Sequence, residues 1–203
     1  LKTLRYSFTH DGWVNKIGLR NNGIAWAINR YKNTDHIISI AILKETDIPQ
    51  ILNILPNNTN IELNVSCPNL NKSLVNTKLQ QFIHPNRRWC IIKLSPTCDV
   101  KLIDSYYKQG FRQFHCSNTL KVKEGGLSGT RLIPYNLKLI KYIQDYYDDC
   151  EIIAGGGIYS MDTLQLYKKY GANHFSISTI FFSPIHFFTF YKNYMIKNNN
   201  RHF

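Results

Sequence analysis

Short apolar runs alternate with amphipathic stripes along most of this chain, and no other feature restricts the fold as much. The runs fall at residues 37–42, 61–65, 90–94, 113–116, 151–154 and 173–177. Most are continuous rather than strictly alternating, as expected where helices cover one face of a sheet and side chains fill the other. Helical stripes lie between several of them. Ile48, Ile51, Leu52 and Leu55 form one. Val100, Ile103 and Tyr107 form another, with Asp99 as cap and Gly110 as stop. Leu137, Ile140 and Tyr147 follow Pro134, and Leu164 and Tyr167 lie between Ser160 and Gly171. A last helix is predicted from Ser183 and Pro184 onward, with Phe187, Phe188, Tyr191 and Met195 on one side. The polar end, from about residue 197 to 203, is expected to fray.

Repeated strand–helix units predict a parallel α/β sheet. The polar and glycine-rich segments come directly after strands, where a β/α barrel places its chemistry. An open doubly wound sheet fits the same alternation, although no GxGxxG fingerprint is present. A chain of 203 residues is short for eight β/α units, which usually take about 250. No linker or change of composition divides it, so a single domain over 1–203 is expected. The chain does not begin with methionine, and upstream sequence is expected to precede it.

Charge bears on partners. Twenty-five Lys and Arg against 13 Asp and Glu give a formal +12, which suits anionic ligands. The cations are scattered, with no basic helix or zinc-finger spacing, so a nucleic-acid partner is not expected. No run of eighteen apolar residues predicts a transmembrane segment. Five cysteines with no CxxC pair predict reduced thiols and a cytoplasmic setting.

Seven segments carry potential chemistry. Asn15 to Gly23 holds amides and two glycines, and taken alone is also an ordinary turn. Asn64-Val65-Ser66-Cys67-Pro68-Asn69 follows a strand. Its amides could grip a planar polar molecule, and its thiol could take a proton or act as nucleophile. A buried structural thiol beside a proline turn is the plainer alternative. Lys93 ends the run at 90–94, suited to an anion or a flavin ring, or else simply exposed at a strand end. Ser117-Asn118-Thr119 follows another strand. Gly125 to Gly129, Gly155-Gly156-Gly157 and Ser178-Thr179 offer backbone and hydroxyls that could cradle a phosphate.

In their order along the chain, these segments resemble the dihydroorotate dehydrogenase family from about residue 11 to residue 182, most specifically at 64–69. The resemblance implies a (β/α)8 TIM barrel that binds flavin mononucleotide (FMN) and oxidises dihydroorotate to orotate in pyrimidine biosynthesis. It implies Cys67 as the catalytic base, the residue type of soluble members, where membrane-bound members generally have serine. It implies Asn21, Asn64, Asn69, Asn118 and Thr119 as the substrate-binding set. Lys93 would lie near the flavin ring, with Gly156, Gly157, Ser178 and Thr179 at its phosphate and Gly126 and Gly129 beside it. The electron acceptor is left open, and so is a homodimer.

The chain also departs from the family pattern. Two barrel strands and a Lys-Thr pair normally precede the Asn15 motif, and only Lys2-Thr3 resembles that pair. Residues 120–124 are shorter than the usual excursion, and Arg20 stands where a smaller residue or proline is commoner. A barrel lacking or shortened in its first strands is therefore expected, with an exposed edge. Two other functions fit the same residues: a flavin oxidoreductase acting on another dihydropyrimidine, and an inactive barrel remnant with a binding role.

Overall fold

The computed structural model describes residues 3–65 and 78–199. Its main sheet holds six parallel strands: β3 (Ile38–Ile40), β4 (Ile61–Asn64), β5 (Cys90–Lys93), β6 (Gln113–Cys116), β9 (Glu151–Gly155) and β10 (His174–Ser176). They run side by side in the order β10-β9-β6-β5-β4-β3. All six apolar runs are therefore strands, each within a residue or two of its expected bounds. Because β3 and β10 are not paired with each other, the curled sheet is a partial, open barrel.

Helices among the described residues occupy the intervals. They are α1 (Ile24–Tyr31), α2 (Asp47–Ile54), α3 (Val100–Lys108), α4 (Ile133–Tyr146), α5 (Met161–Lys169) and α6 (Pro184–Asn199). Asp99 caps α3 by accepting from the Lys101 N–H, and Ser160 caps α5 by accepting from the Thr163 N–H. Gly110, at φ 100°, turns the chain out of the α3 region. Pro134 sits in the first turn of α4, where a missing N–H costs nothing. Two stripes differ in detail from expectation. On α3 the buried residues are Ile103 and Tyr106, while Tyr107 stacks on Tyr147 with ring centroids 4.0 Å apart. On α6 the buried aromatic is Phe190, and Phe188, Tyr191 and Met195 are exposed. The Ser183 hydroxyl before α6 pairs with the His186 ring at 2.6 Å.

One hydrophobic core fills the space between sheet and helices. Ile38, Ile40, Ile61, Leu63, Ile92, Phe114, Cys116, Ile152 and Ala154 point from the strands into it. Strand side chains alternate in direction, so their neighbours in sequence must line the concave face.

A second, antiparallel sheet has the order β1-β2-β8-β7, from β1 (Leu4–Ser7), β2 (Gly12–Asn15), β7 (Leu120–Val122) and β8 (Gly125–Ser128). The glycine-rich segment at 125–129, which the six apolar runs did not include, is thus mostly strand. Its glycines allow close approach: a Cβ at Gly12 would lie 2.6 Å from the Ser128 carbonyl oxygen.

Candidate functional site

The concave face of the open barrel carries polar residues from β3, β4, β5 and β6. In the parallel register Ser39 lies opposite Glu62, Asn64 opposite Lys93, and Lys93 opposite His115. Ser39, Glu62, Lys93, His115 and Ser176, with Ile91 and Ile153, line a cavity of about 470 Å³ that extends to Ile37, Trp89 and His174 at the N-terminal ends of the strands. That size falls within the range of small-molecule sites.

Glu62 is the centre of this surface. It is buried, 7% exposed, and so is His115 at 6%. One carboxylate oxygen accepts from the Lys93 ammonium at 3.0 Å and from the Ser39 hydroxyl at 2.7 Å. The other lies 2.6 Å from His115 Nδ1. An ionised Glu62 requires Nδ1 to carry the proton and donate it. Burial is the largest single influence on the carboxyl and pushes its pKa up. The His115 hydrogen bond, the charges of Lys93 and His115 and the Ser39 bond together outweigh it, and hold the value at about 2 against an ordinary 4.5. A folded-state pKa depressed in this way stabilises the fold above the ordinary value. That stability is lost as pH falls from about 4.5 through about 2. The loss is on the order of 3 kcal/mol. Urea midpoints measured across that acidic window should fall steeply for the wild type and more shallowly for Glu62→Gln. Parallel curves would remove this coupling.

His115 Nε2 is buried and has no partner among the described residues. It faces Gly155: a Cβ there would lie 3.1 Å from Nε2 and 3.0 Å from the Ser117 hydroxyl oxygen. Glycine at the end of β9 is what leaves room for this ring.

At the C-terminal ends of β4 and β6, Asn118 Nδ2 donates to Asn64 Oδ1 at 3.2 Å. Asn118 Oδ1 accepts from the Thr119 N–H at 2.8 Å. Thr119 packs on Gly126, where an added Cβ would lie 2.5 Å from the threonine hydroxyl. Asn15 Nδ2 donates to the Gly126 carbonyl at 3.3 Å, tying β2 to β8. Asn64, Lys93, Asn118, Thr119 and Gly126 are thus brought to one rim of the sheet.

The glycine turn after β9 lies against the turn after β8. Gly156 and Gly157 have φ of 79° and 71°. A Cβ on Gly157 would lie 2.8 Å from Thr130 Cα and 3.0 Å from the Gly129 carbonyl oxygen. Ser178 and Thr179 open a 3₁₀ turn (Thr179–Phe182) after β10, with Ser178 exposed and Thr179 buried. Asn21 is exposed and bonds locally, to the Gly23 N–H and the Leu19 carbonyl. No hydrogen bond between described residues joins it to the rim set. Cys67 and Asn69 lie outside the described residues. Burial pushes the thiols of Cys90 and Cys150 to about 11 and that of Cys116 higher still, so these three are poor proton acceptors near neutral pH.

Glu62, His115 and Ser39 are the site residues that sequence reasoning missed. The signal was present: each is a polar residue flanked by buried apolar ones within a strand, as in Ile38-Ser39-Ile40 and Ile61-Glu62-Leu63.

No family model matches the chain. It is 28% identical to the catalytic subunit of dihydroorotate dehydrogenase B (NAD(+)) from Latilactobacillus sakei, over 89% of this chain and 70% of the relative. It is 27% identical to a putative dihydroorotate dehydrogenase A (fumarate) from Pediococcus pentosaceus, over 78% of this chain and 64% of that one. A crystal structure of the Eimeria tenella enzyme DHODH, in complex with ferulenol, superposes with a TM-score of 0.65 at 16% identity, covering 94% of this chain and 68% of that chain. The structural likeness shows a shared fold. With the sequence matches, it makes the chain a distant relative of the dihydroorotate dehydrogenases.

Proposed function

We propose that this distant relative of the dihydroorotate dehydrogenases binds FMN and oxidises dihydroorotate to orotate. The observation that carries the reading is the convergence of Asn64, Lys93, Asn118 and Thr119 on one rim of an open barrel. The residues fit the group. Lys93 offers a cation at the end of β5, Gly156 and Gly157 a tight backbone turn, and Ser178 and Thr179 hydroxyls at the start of a helical turn. Bound flavin would supply the two-electron acceptor.

The chain's own residues supply position and proton transfer. Cys67 takes the proton from C5 of dihydroorotate. Asn64, Asn69 and Asn118 pair with the carbonyls and ring nitrogens of the substrate, which keeps polar groups satisfied as water is excluded. Asn21 and Thr119 complete that set. Lys93 holds positive charge beside the cofactor ring and favours its reduced, anionic form. The relatives are named for NAD(+) and for fumarate, and either acceptor is compatible with this half of the reaction.

One observation favours a second reading. With β3 and β10 unpaired across the gap, the concave face lies open, which suits a remnant that binds without turning over. Quenching of FMN fluorescence on titration with the purified chain tests the cofactor reading. Saturable one-to-one binding is expected, weakened in Lys93→Met with circular dichroism unchanged. No binding at excess protein, or equal binding by both proteins, would contradict the placement of the flavin over β5.

A further inference from the structure

We propose that Glu62 is the positioning residue for Lys93, seating its ammonium at the rim of β5 and offsetting part of its charge. The inference rests on the flavin reading above and extends it from Lys93 to the group that holds it. A lysine head sits on four rotatable bonds, and ordering it takes a fixed partner. Among the described residues, Glu62 Oε1 is the hydrogen-bond acceptor of Lys93, at 3.0 Å. That carboxylate is itself fixed. His115 occupies its second oxygen at 2.6 Å, and Ser39 donates to the first at 2.7 Å. Contacts from β3, β5 and β6 therefore converge on one side chain of β4, and the carboxylate cannot swing away without leaving a buried charge unpaired. The Lys93 side chain is the more exposed partner, 22% against 9% for Glu62, so the cation is the end presented to a ligand.

The arrangement has a consequence that a plain structural ion pair lacks. A group bound over Lys93 meets a cation with a carboxylate behind it. Removing the lysine charge disfavours a reduced, anionic flavin, whereas removing the glutamate charge favours it. Lys93→Met and Glu62→Gln should therefore move the flavin reduction potential in opposite directions, down and up respectively.

The experiment has two arms. In the flavin-free chain, the Lys93 ammonium should give a resolved nitrogen-15 cross-peak, assigned by its loss in Lys93→Met and broadened away in Glu62→Gln. Glu62→Asp keeps the charge and withdraws it by one methylene. It should broaden the peak while leaving the potential near that of the wild type, and it serves if the glutamine variant folds poorly. In the second arm, FMN is added and the potential is read by spectroelectrochemical titration. A peak that stays sharp in both Glu62 variants overturns the seating role, and potentials that shift in the same direction in Lys93→Met and Glu62→Gln overturn the charge offset. Loss of the peak in the Glu62 variants together with failure of the wild-type chain to bind FMN supports the seating of Lys93 and contradicts the flavin reading instead.

Discussion

Replacing Cys67 with alanine slows reduction of the bound flavin by dihydroorotate by roughly 10²–10⁴, the usual effect of losing a positioned acid–base group. Stopped-flow loss of the oxidised flavin absorbance measures it directly. The expectation comes from Cys67 lying between Asn64 and Asn69, and from three of the other four thiols. Cys90, Cys116 and Cys150 have pKa values raised by burial and cannot substitute as thiolates near neutral pH. Cys67→Ser should also be slow at neutral pH, since a hydroxyl gives up its proton far less readily than a thiol. FMN affinity should change little in either variant. An unaltered rate in Cys67→Ala would remove the thiol from the mechanism while leaving the cofactor site intact.

The second large effect is expected at Gly157. Its φ of 71° is a backbone conformation that side chains disfavour, and a Cβ would meet Thr130 Cα at 2.8 Å and Ile133 Cγ1 at 2.9 Å. Backbone strain and overpacking together should make Gly157→Ala less stable by about 2–4 kcal/mol. Urea denaturation measures that loss. Because the turn carrying Gly157 is pressed against Gly129, the variant should also bind FMN more weakly at temperatures where it remains folded. A wild-type urea midpoint would show that the two turns separate easily and do not form a fixed cradle.

The parallel half of this fold was legible because its signals are long-range and redundant. Residues 90–94 and 151–154 are mostly apolar, and the helices between strands carry caps such as Asp99 and Ser160 that bond as their sequence predicts. The antiparallel sheet was not legible. None of its strands is an apolar run, and β8 begins Gly125-Gly126, a composition that suits a loop as well as it suits a close strand pairing. The same limit applied to α1, whose start at Ile24 follows a run of asparagines and a glycine with no side-chain cap.

The candidate site was legible where its residues follow strands. Asn64, Lys93, Asn118 and Thr119 stand out by that position, the family resemblance assigns them their roles, and they meet at one rim. Glu62 and His115 escaped notice because attention to strand ends passes over polar residues within strands. Their pairing depends on register between β4 and β6 across β5, which no local pattern encodes. Asn21 illustrates the opposite case. Its amide satisfies a turn before α1, so a substrate role there would require the turn to open.

Anaerobic addition of dihydroorotate to the FMN-reconstituted chain, with orotate quantified after quenching, tests the central claim most directly. The predicted result is loss of the oxidised flavin absorbance with one orotate formed per flavin reduced. Flavin that binds but stays oxidised, with no orotate, would contradict the account and leave a barrel that holds its cofactor without performing this reaction.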